Sequence, residues 1–334
     1  VSVIIAAHNE EERVAARLRN CLAQGYPSHL EIIVASDGST DRTVEIAREY
    51  EGVVVLDFPQ NRGRAAVQND AAASARGEIV VFTDAETEFE PDFLARIAAA
   101  FADPRVGCAV GNLVYREKDT AVGVSEGMYW RFEKKLRQVE SDLGILATAT
   151  GACMAVRRSL WRPLTPIDDS DFTTPLDVIL QGYRVVYVPE AVAYDVPASS
   201  MRGEFRTRVR QTSKNLIGTL RRWGLRNWFT HPAVSWGLLS HKILRWMTPF
   251  FMAGALAANR FLLDDPFYRL TLALQAVFYL LGIVGFVADA FGRRVPLASF
   301  VAGFCVACLG MGVGVIKGLF GRAPAAYRAA ERRG

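Results

Sequence analysis

The chain has 334 residues, enough to bury a full core and to hold more than one structural region. Its formal charge of +4 is too small to name a polyanionic partner, and its 51% hydrophobic content is near a soluble average. Both are unevenly spread: residues 202–226 carry seven arginines and Lys214 against one acid, Glu204, and the apolar residues gather after position 230. No groove-reading or RNA-binding motif accompanies the basic stretch, so nucleic acid is not an expected partner.

Val1–Ala7 is a continuous apolar run, as in a strand buried on both faces, with His8-Asn9-Glu10 at its carboxyl end. Glu11–Gln24 reads as an amphipathic helix with Val14, Leu18, Cys21 and Leu22 on one side. A second strand, Leu30–Ala35, ends in Ser36-Asp37-Gly38-Ser39-Thr40-Asp41, where Ser39 or Thr40 can cap a helix running to Tyr50. Strand Val53–Leu56, an alanine-rich helix Gly63–Ala75 and strand Ile79–Thr83 follow. Alternation at this spacing predicts βαβ units and a mostly parallel sheet. Beyond it, Pro91 opens a helix to Phe101, Val106–Val114 is a strand, and Glu126–Asp142 is a long charged helix. Thr148–Val156 passes through Gly151 into a short strand. Pro175–Gln181 is a helix stopped by Gly182, and Val185–Val188 and Ala191–Asp195 are short strands.

The composition changes near Ser199. The basic stretch interleaves Phe205, Val209, Leu216, Ile217, Leu220 and Trp223 with its arginines, which suits an interfacial helix on anionic lipid, although a solvated helix face has the same pattern. Three apolar segments follow, at about 247–263, 267–289 and 295–320. A span takes roughly 20 apolar residues, so the second and third qualify and the first is short. His241, Lys242 and Arg245 are expected at the headgroups. The positive-inside rule places the basic stretch, Arg293-Arg294 and the tail (Lys317, Arg322, Arg328, Arg332, Arg333) on the cytoplasmic side, which three full crossings cannot satisfy. The chain opens on Val1 directly in a strand pattern, with neither signal peptide nor initiator Met, so an upstream segment, such as another membrane segment, is expected outside this sequence. Cys21, Cys108 and Cys153 fall in apparent strands and helices, which suits a reducing compartment. Cys305 and Cys308 form C-x-x-C inside an apolar run with no second ligand pair, and read as small packing residues.

Four polar groups punctuate the strand ends. Asp84 and Glu86 directly follow the fourth strand. An acid-x-acid spacing arises by chance roughly three or four times in such a chain, but the carboxyl edge of an α/β sheet is where ligands bind. Two oxygen donors there suit a hard cation, Mg2+ or Mn2+, bound to a phosphorylated substrate; a solvated turn is the plainer alternative. Asp37-Gly38-Ser39 can accept a hydrogen bond from a base or ribose, or be a turn. Arg62-Gly63-Arg64 with Asn69 can neutralise a diphosphate at a helix start, or be surface arginine. Asp168-Asp169-Ser170-Asp171 offers a general base for a sugar hydroxyl, or acids that favour a helix N-terminus.

Taken in order, AAHNEEERV, IIVASDGSTDRT, NRGRAAVQNDAAASARGEIVVFTDAET, TGACMAVRRSLW and DDSDFTTPLDVILQGYRVVYVPEAVAYD resemble the inverting family 2 glycosyltransferases of the GT-A fold, cellulose and hyaluronan synthases among their membrane-bound members. The resemblance covers about 1–210. It implies that Glu10 and Asp37 hold the nucleotide's base and ribose and that Arg64 stands where the family often has a lysine near the diphosphate. It makes Asp84 and Glu86 the D-x-D element, with Glu where Asp is commoner. Gly151 and Ala152 would lie on the acceptor side, with Asp171 as catalytic base. Processive members carry Q-x-x-R-W; around Arg210-Gln211 only the arginine is kept, placing Arg210 at the leaving diphosphate and processive polymerisation in doubt.

The resulting expectation is an α/β GT-A domain over 1–199 with a mostly parallel sheet, a basic interfacial segment over 200–230, a transmembrane region of two or three spans over 231–320 and a basic tail over 321–334. It would be a multi-pass protein of the cell membrane with its catalytic domain in the cytoplasm. It would move sugar from a nucleotide-diphosphate sugar, a UDP-sugar first, to a lipid-linked or glycan acceptor, using Mg2+ or Mn2+, among membrane lipids and with room for a membrane partner subunit. The rival readings are a processive polysaccharide synthase, a sugar-phosphate nucleotidyltransferase, which would need a Gly-rich loop after the first strand, and a non-catalytic membrane scaffold.

Overall fold

The computed structural model describes residues 1–115, 121–195, 200–293 and 295–323, without the side chains of 121–130. Arg294, the tail from 324 onward and the expected domain boundary near 199 lie outside the described residues.

The elements are β1 (Ser2–Ala7), α1 (Val14–Leu22), β2 (Glu31–Asp37), α2 (Thr43–Arg48), β3 (Val53–Phe58), α3 (Arg64–Ser74), β4 (Ile79–Asp84), β5 (Glu88–Phe89), α4 (Phe93–Ala99), β6 (Val106–Tyr115), α5 (Ala121–Asp142), β7 (Met154–Arg157), α6 (Ser170–Leu180) and β8 (Arg184–Asp195). They form one sheet in the order β3-β2-β1-β4-β7-β6-β8-β5. The pairings β2–β3, β1–β2 and β1–β4 are parallel, as the alternating pattern predicts. The sheet as a whole is mixed. β7 runs antiparallel to both β4 and β6 because the chain enters it from a loop at the carboxyl edge, so Met154 pairs with Phe82 and Arg157 with Ile79. β8 is one strand rather than two; its register with β6 shifts between Gly111 and Asn112, and Asn112 donates to the Pro189 carbonyl at 3.0 Å.

Apolar side chains leave both sheet faces, as strands covered on two sides require. Ile4, Ile33, Val80 and Phe82 pack under α3 and α6, while Val3, Ile5, Val34 and Val81 pack under α1 and α4. Arg17 lies among the apolar residues of α1 and is 2% exposed. It stacks over Phe89 and donates to Thr83 Oγ1 at 2.8 Å, fixing the end of β4.

Helix starts differ from expectation at α1, which begins at Val14 rather than Glu11, at α5, which begins at Ala121 rather than Glu126, and at α2 and α6. α2 begins at Thr43, and Asp41 rather than Ser39 or Thr40 accepts its first amide, at 3.0 Å. α6 begins at Ser170, so Pro175 lies inside it. Proline has no amide to give to the carbonyl four residues back, here that of Asp171, which accepts instead from the Ala149 amide at 2.7 Å.

The remaining helices are α7 (Met201–Arg222), α8 (Leu225–Thr230), α9 (Pro232–Gly237), a π-helical turn Leu238–Ile243, α10 (Leu244–Phe261), α11 (Pro266–Ala290) and α12 (Pro296–Leu319). α11 and α12 are long and apolar enough to cross a membrane. α7 is the basic stretch. Arg222 is turned inward onto Asp168 and Asp177, and Val209, Thr212, Ser213 and Leu216 are buried. Gly310, Gly314 and Gly318 of α12 meet that helix; a Cβ at Gly314 would lie 2.7 Å from Thr212 Cβ. His241, Lys242 and Arg245, expected at headgroups, instead face the buried Glu133 of α5 at 3.1, 3.2 and 3.1 Å. A carboxylate left unpaired there would be costly, and Lys242, Arg245 and the His241 ring satisfy it. The five cysteines are free thiols, with Cys308 buried and Cys305 half-buried against Gly282.

Candidate active site

The carboxyl ends of β1, β2 and β4, the loop 148–152, the start of α6 and one face of α7 enclose a cavity of about 320 Å3. Every residue expected to act lines it: Glu10, Asp37, Arg64, Asp84, Glu86, Gly151, Ala152, Asp171 and Arg210.

At the β2 end, Asp37 is buried, and its oxygens accept from the Arg62 amide at 2.6 Å and the Gly63 amide at 2.9 Å. The next residue must be glycine: at Gly38 φ is 67°, and a Cβ would lie 2.5 Å from the Asn61 nitrogen. Asp37 thus fixes the loop that starts α3 and lies on the wall of the cavity. Glu10 is held by Arg13 at 2.8 Å. Of the expected basic group, only Arg64 enters the cavity. Arg62 stacks on Phe58 and pairs with Asp70, and Asn69 exchanges two hydrogen bonds with the backbone of Leu164.

Arg64 reaches from the first turn of α3 to the end of β4, where its Nη2 lies 2.7 Å from Asp84 Oδ1 and 3.1 Å from the Gly151 carbonyl. Asp84 and Glu86 are both half-buried on the cavity wall. Among the described residues, no group of three or more His, Cys, Asp or Glu converges as a metal set. The two carboxylates are hard oxygen donors at the mouth of a cavity with room for a diphosphate, the donor chemistry that suits Mg2+ or Mn2+ with substrate oxygens completing the shell.

The Asp168–Asp171 group divides by function. Asp168 is buried and accepts from Arg222 twice, at 2.9 Å, and from the Thr165 amide at 2.7 Å, so it ties α6 to α7. Asp169 lies 3.7 Å from Arg210. Asp171, in the first turn of α6, lies across Gly151 from Arg64; a Cβ at Gly151 would be 3.1 Å from Arg64 Nη2 and 3.7 Å from Asp171 Cβ. Burial and the charge of Asp169 push the Asp171 carboxyl up to about 6, against the pull of Arg64 and Arg210. A carboxylate with that pKa suits proton abstraction near neutral pH.

Sequence reading missed four contributors. Arg137 is buried and donates to Thr150 Oγ1, anchoring the 148–152 loop to α5; as one of four basic residues in a charged helix it carried no distinguishing mark. Asp195, at the end of β8, also lines the cavity. Lys214 and Gln211 line it too; the motif that credited Arg210 marked neither of them.

Residues 2–164 match the description Glycosyl transferase family 2. An N-acetylglucosaminyltransferase of Mesorhizobium japonicum is 30% identical over 243 residues, covering 66% of this chain and 57% of that protein. A poly-β-1,6-N-acetyl-D-glucosamine synthase of Staphylococcus aureus is 27% identical over 221 residues, covering 63% and 53%. The chain thus spans somewhat over half the length of these relatives. A solved mannosyltransferase of Pyrobaculum calidifontis, in complex with GDP-Man and Mn2+, superposes with a TM-score of 0.70 at 24% identity, covering 96% of this chain and 87% of that one. The chain carries a glycosyl transferase family 2 domain on a GT-A-like mixed sheet, followed by two apolar helices.

Proposed function

We propose that the protein is a membrane-bound inverting glycosyltransferase that moves a sugar from a nucleotide-diphosphate donor to an acceptor hydroxyl. The observation that carries this reading is the shared cavity of Asp84, Glu86 and Asp171, with Arg64 between the acid pair and the base. Glu10 and Asp37 border the nucleoside end. Arg64 faces the diphosphate and Asp171 the acceptor. Asp171 takes the proton of the acceptor hydroxyl as its oxygen bonds to the anomeric carbon. The sugar–phosphate bond breaks on the opposite face, the electron pair leaves with the nucleoside diphosphate, and the anomeric configuration inverts. A divalent cation on Asp84 and Glu86 would neutralise charge on that leaving group. Arg64 and Arg210 supply fixed positive charge beside it.

The relatives' names support UDP-N-acetylglucosamine as the first donor to test, and the structural neighbour's ligand supports GDP-mannose as the second. The acceptor is lipid-linked or a glycan. α11 and α12 form a two-span hairpin, so the region before α11 and that after α12 share one side of the membrane. Such a hairpin keeps the basic stretch and the residues after α12 on one side, which supports a cytoplasmic catalytic domain by the positive-inside rule; Arg293-Arg294, between the two helices in sequence, falls on the other side and is the exception.

The test is Asp171→Asn in membranes supplied with radiolabelled donors. Transfer should fall about 10²–10⁴-fold, with nucleoside diphosphate binding kept; unchanged transfer would sink the assignment. Product size separates single transfer from a processive synthase, the second reading that the synthase relative favours.

A further inference from the structure

Lys214 stands on α7 one helical turn after Arg210, on the face that closes the cavity. It is 7% exposed, and among the described residues it makes no hydrogen bond or ion pair. Two of the acids nearby are engaged elsewhere: Asp168 accepts from Arg222 and the Thr165 amide, and Asp169 faces Arg210, which leaves Asp171 as the nearby acid with no side-chain partner among the described residues. Burial lowers the pKa of the Lys214 ammonium, while Asp169, Asp171 and Asp168 pull it back up. The Lys214 ammonium is bonded to no neighbour and borders the cavity, where an anionic ligand can meet it.

Its position identifies the ligand's side. Arg64 is the cation paired with Asp84, and Gly151 separates that pair from Asp171. Lys214 lies among Asp171, Asp169 and Asp168, on the α6–α7 side of the base. The back of the same stretch of α7 rests on Gly314 and Gly318 of α12, so this part of the cavity adjoins the helices that are apolar enough to span a bilayer.

We propose that Lys214 forms an anion subsite on the acceptor side of Asp171, so that the acceptor carries a phosphate near the hydroxyl that is glycosylated. A phosphate oxygen gives the ammonium a charge-assisted partner. This rests on the glycosyltransferase reading above. The phosphate belongs either to a lipid headgroup or to a soluble phosphorylated polyol.

The experiment is calorimetric titration of the full chain in detergent with inorganic phosphate, while Mn2+ and uridine or guanosine diphosphate saturate the donor site. Phosphate should still bind. Lys214→Gln should weaken phosphate binding by about tenfold or more, leave nucleoside diphosphate binding within about twofold, and be rescued by Lys214→Arg. Displacement of phosphate by the nucleoside diphosphate, loss of nucleoside diphosphate binding in Lys214→Gln, or equal phosphate binding in wild type and Lys214→Gln would each overturn the subsite. If neither nucleoside diphosphate binds, the glycosyltransferase reading fails, and the same phosphate titration without nucleotide still tests the subsite. Radiolabelled donor is then offered with glycerol 3-phosphate, phosphatidylglycerol vesicles or diacylglycerol vesicles. Labelling of either phosphate-bearing compound, lost in Lys214→Gln, supports the proposal and distinguishes a soluble from a bilayer acceptor. Labelling of diacylglycerol alone overturns it.

Discussion

The Arg64 guanidinium lies 2.7 Å from Asp84 Oδ1, so the carboxylate best placed for a divalent cation already has a positive partner. A divalent cation at Asp84 would compete with Arg64 for that carboxylate, and a bound diphosphate would offer Arg64 another partner. Arg64→Gln should therefore tighten Mn2+ binding to the nucleotide-free protein while weakening nucleoside diphosphate binding, each by roughly tenfold. Manganese titration with and without nucleotide reads both. Weaker Mn2+ binding in the variant would show that the pair does not compete.

The raised pKa of Asp171 fixes an acid limb. A base must be ionised, and a carboxyl pushed up to about 6 is protonated below that pH. The ratio kcat/KM should fall tenfold per pH unit below about 6 and level off above it. Asp169→Asn removes one of the charges that raise the pKa, so the midpoint should move to lower pH; a midpoint that stays or rises would count against Asp169 as a cause.

Pro175 separates stability from activity. Pro175→Ala restores a helix amide and should stabilise α6 by about 1–3 kcal/mol. The new amide competes with Ala149 for the Asp171 carbonyl, loosening the 148–152 loop that faces the base. Activity should fall on the order of tenfold while the melting temperature rises. A variant as active as wild type would deny the loop tether a role.

Glu133 holds the α5 side of the domain to the segment leading into α10. Burial pushes its carboxyl up, but Lys242, His241 and Arg137 outweigh burial and hold it well below the usual carboxylate range. A depressed carboxylate stabilises the fold above its unfolded pKa, and that stability is lost as pH falls. Thermal stability should thus decline progressively below about pH 4.5. Glu133→Gln, which takes the negative charge from beside Arg137, Lys242 and Arg245, should cost about 3–5 kcal/mol at neutral pH and flatten that decline.

The sheet was legible because its strands are buried on both faces, so Val1–Ala7 and Ile79–Thr83 read as apolar runs with acids at their ends. The reversal of β7 was not: direction depends on the edge from which the chain enters, and four residues carry no mark of it. Asp171 was found through a motif, but its separation from Asp168 needed Arg222, which lies 54 residues beyond Asp168 and is visible only once α7 docks. His241, Lys242 and Arg245 misled for the same reason. A basic cluster before an apolar segment looks like a headgroup anchor until the buried acid that it serves, Glu133, is placed beside it.

Gly310, Gly314 and Gly318 fall at four-residue steps along α12, and each lets the backbone of α7 come within side-chain distance. Two helices meshed at three successive turns move as one rod. The wall that carries Arg210 and Lys214 therefore cannot slide independently of a helix long enough to sit in lipid. In the membrane-bound form proposed above, a change in the tilt of α12 would be carried directly to that wall of the cleft.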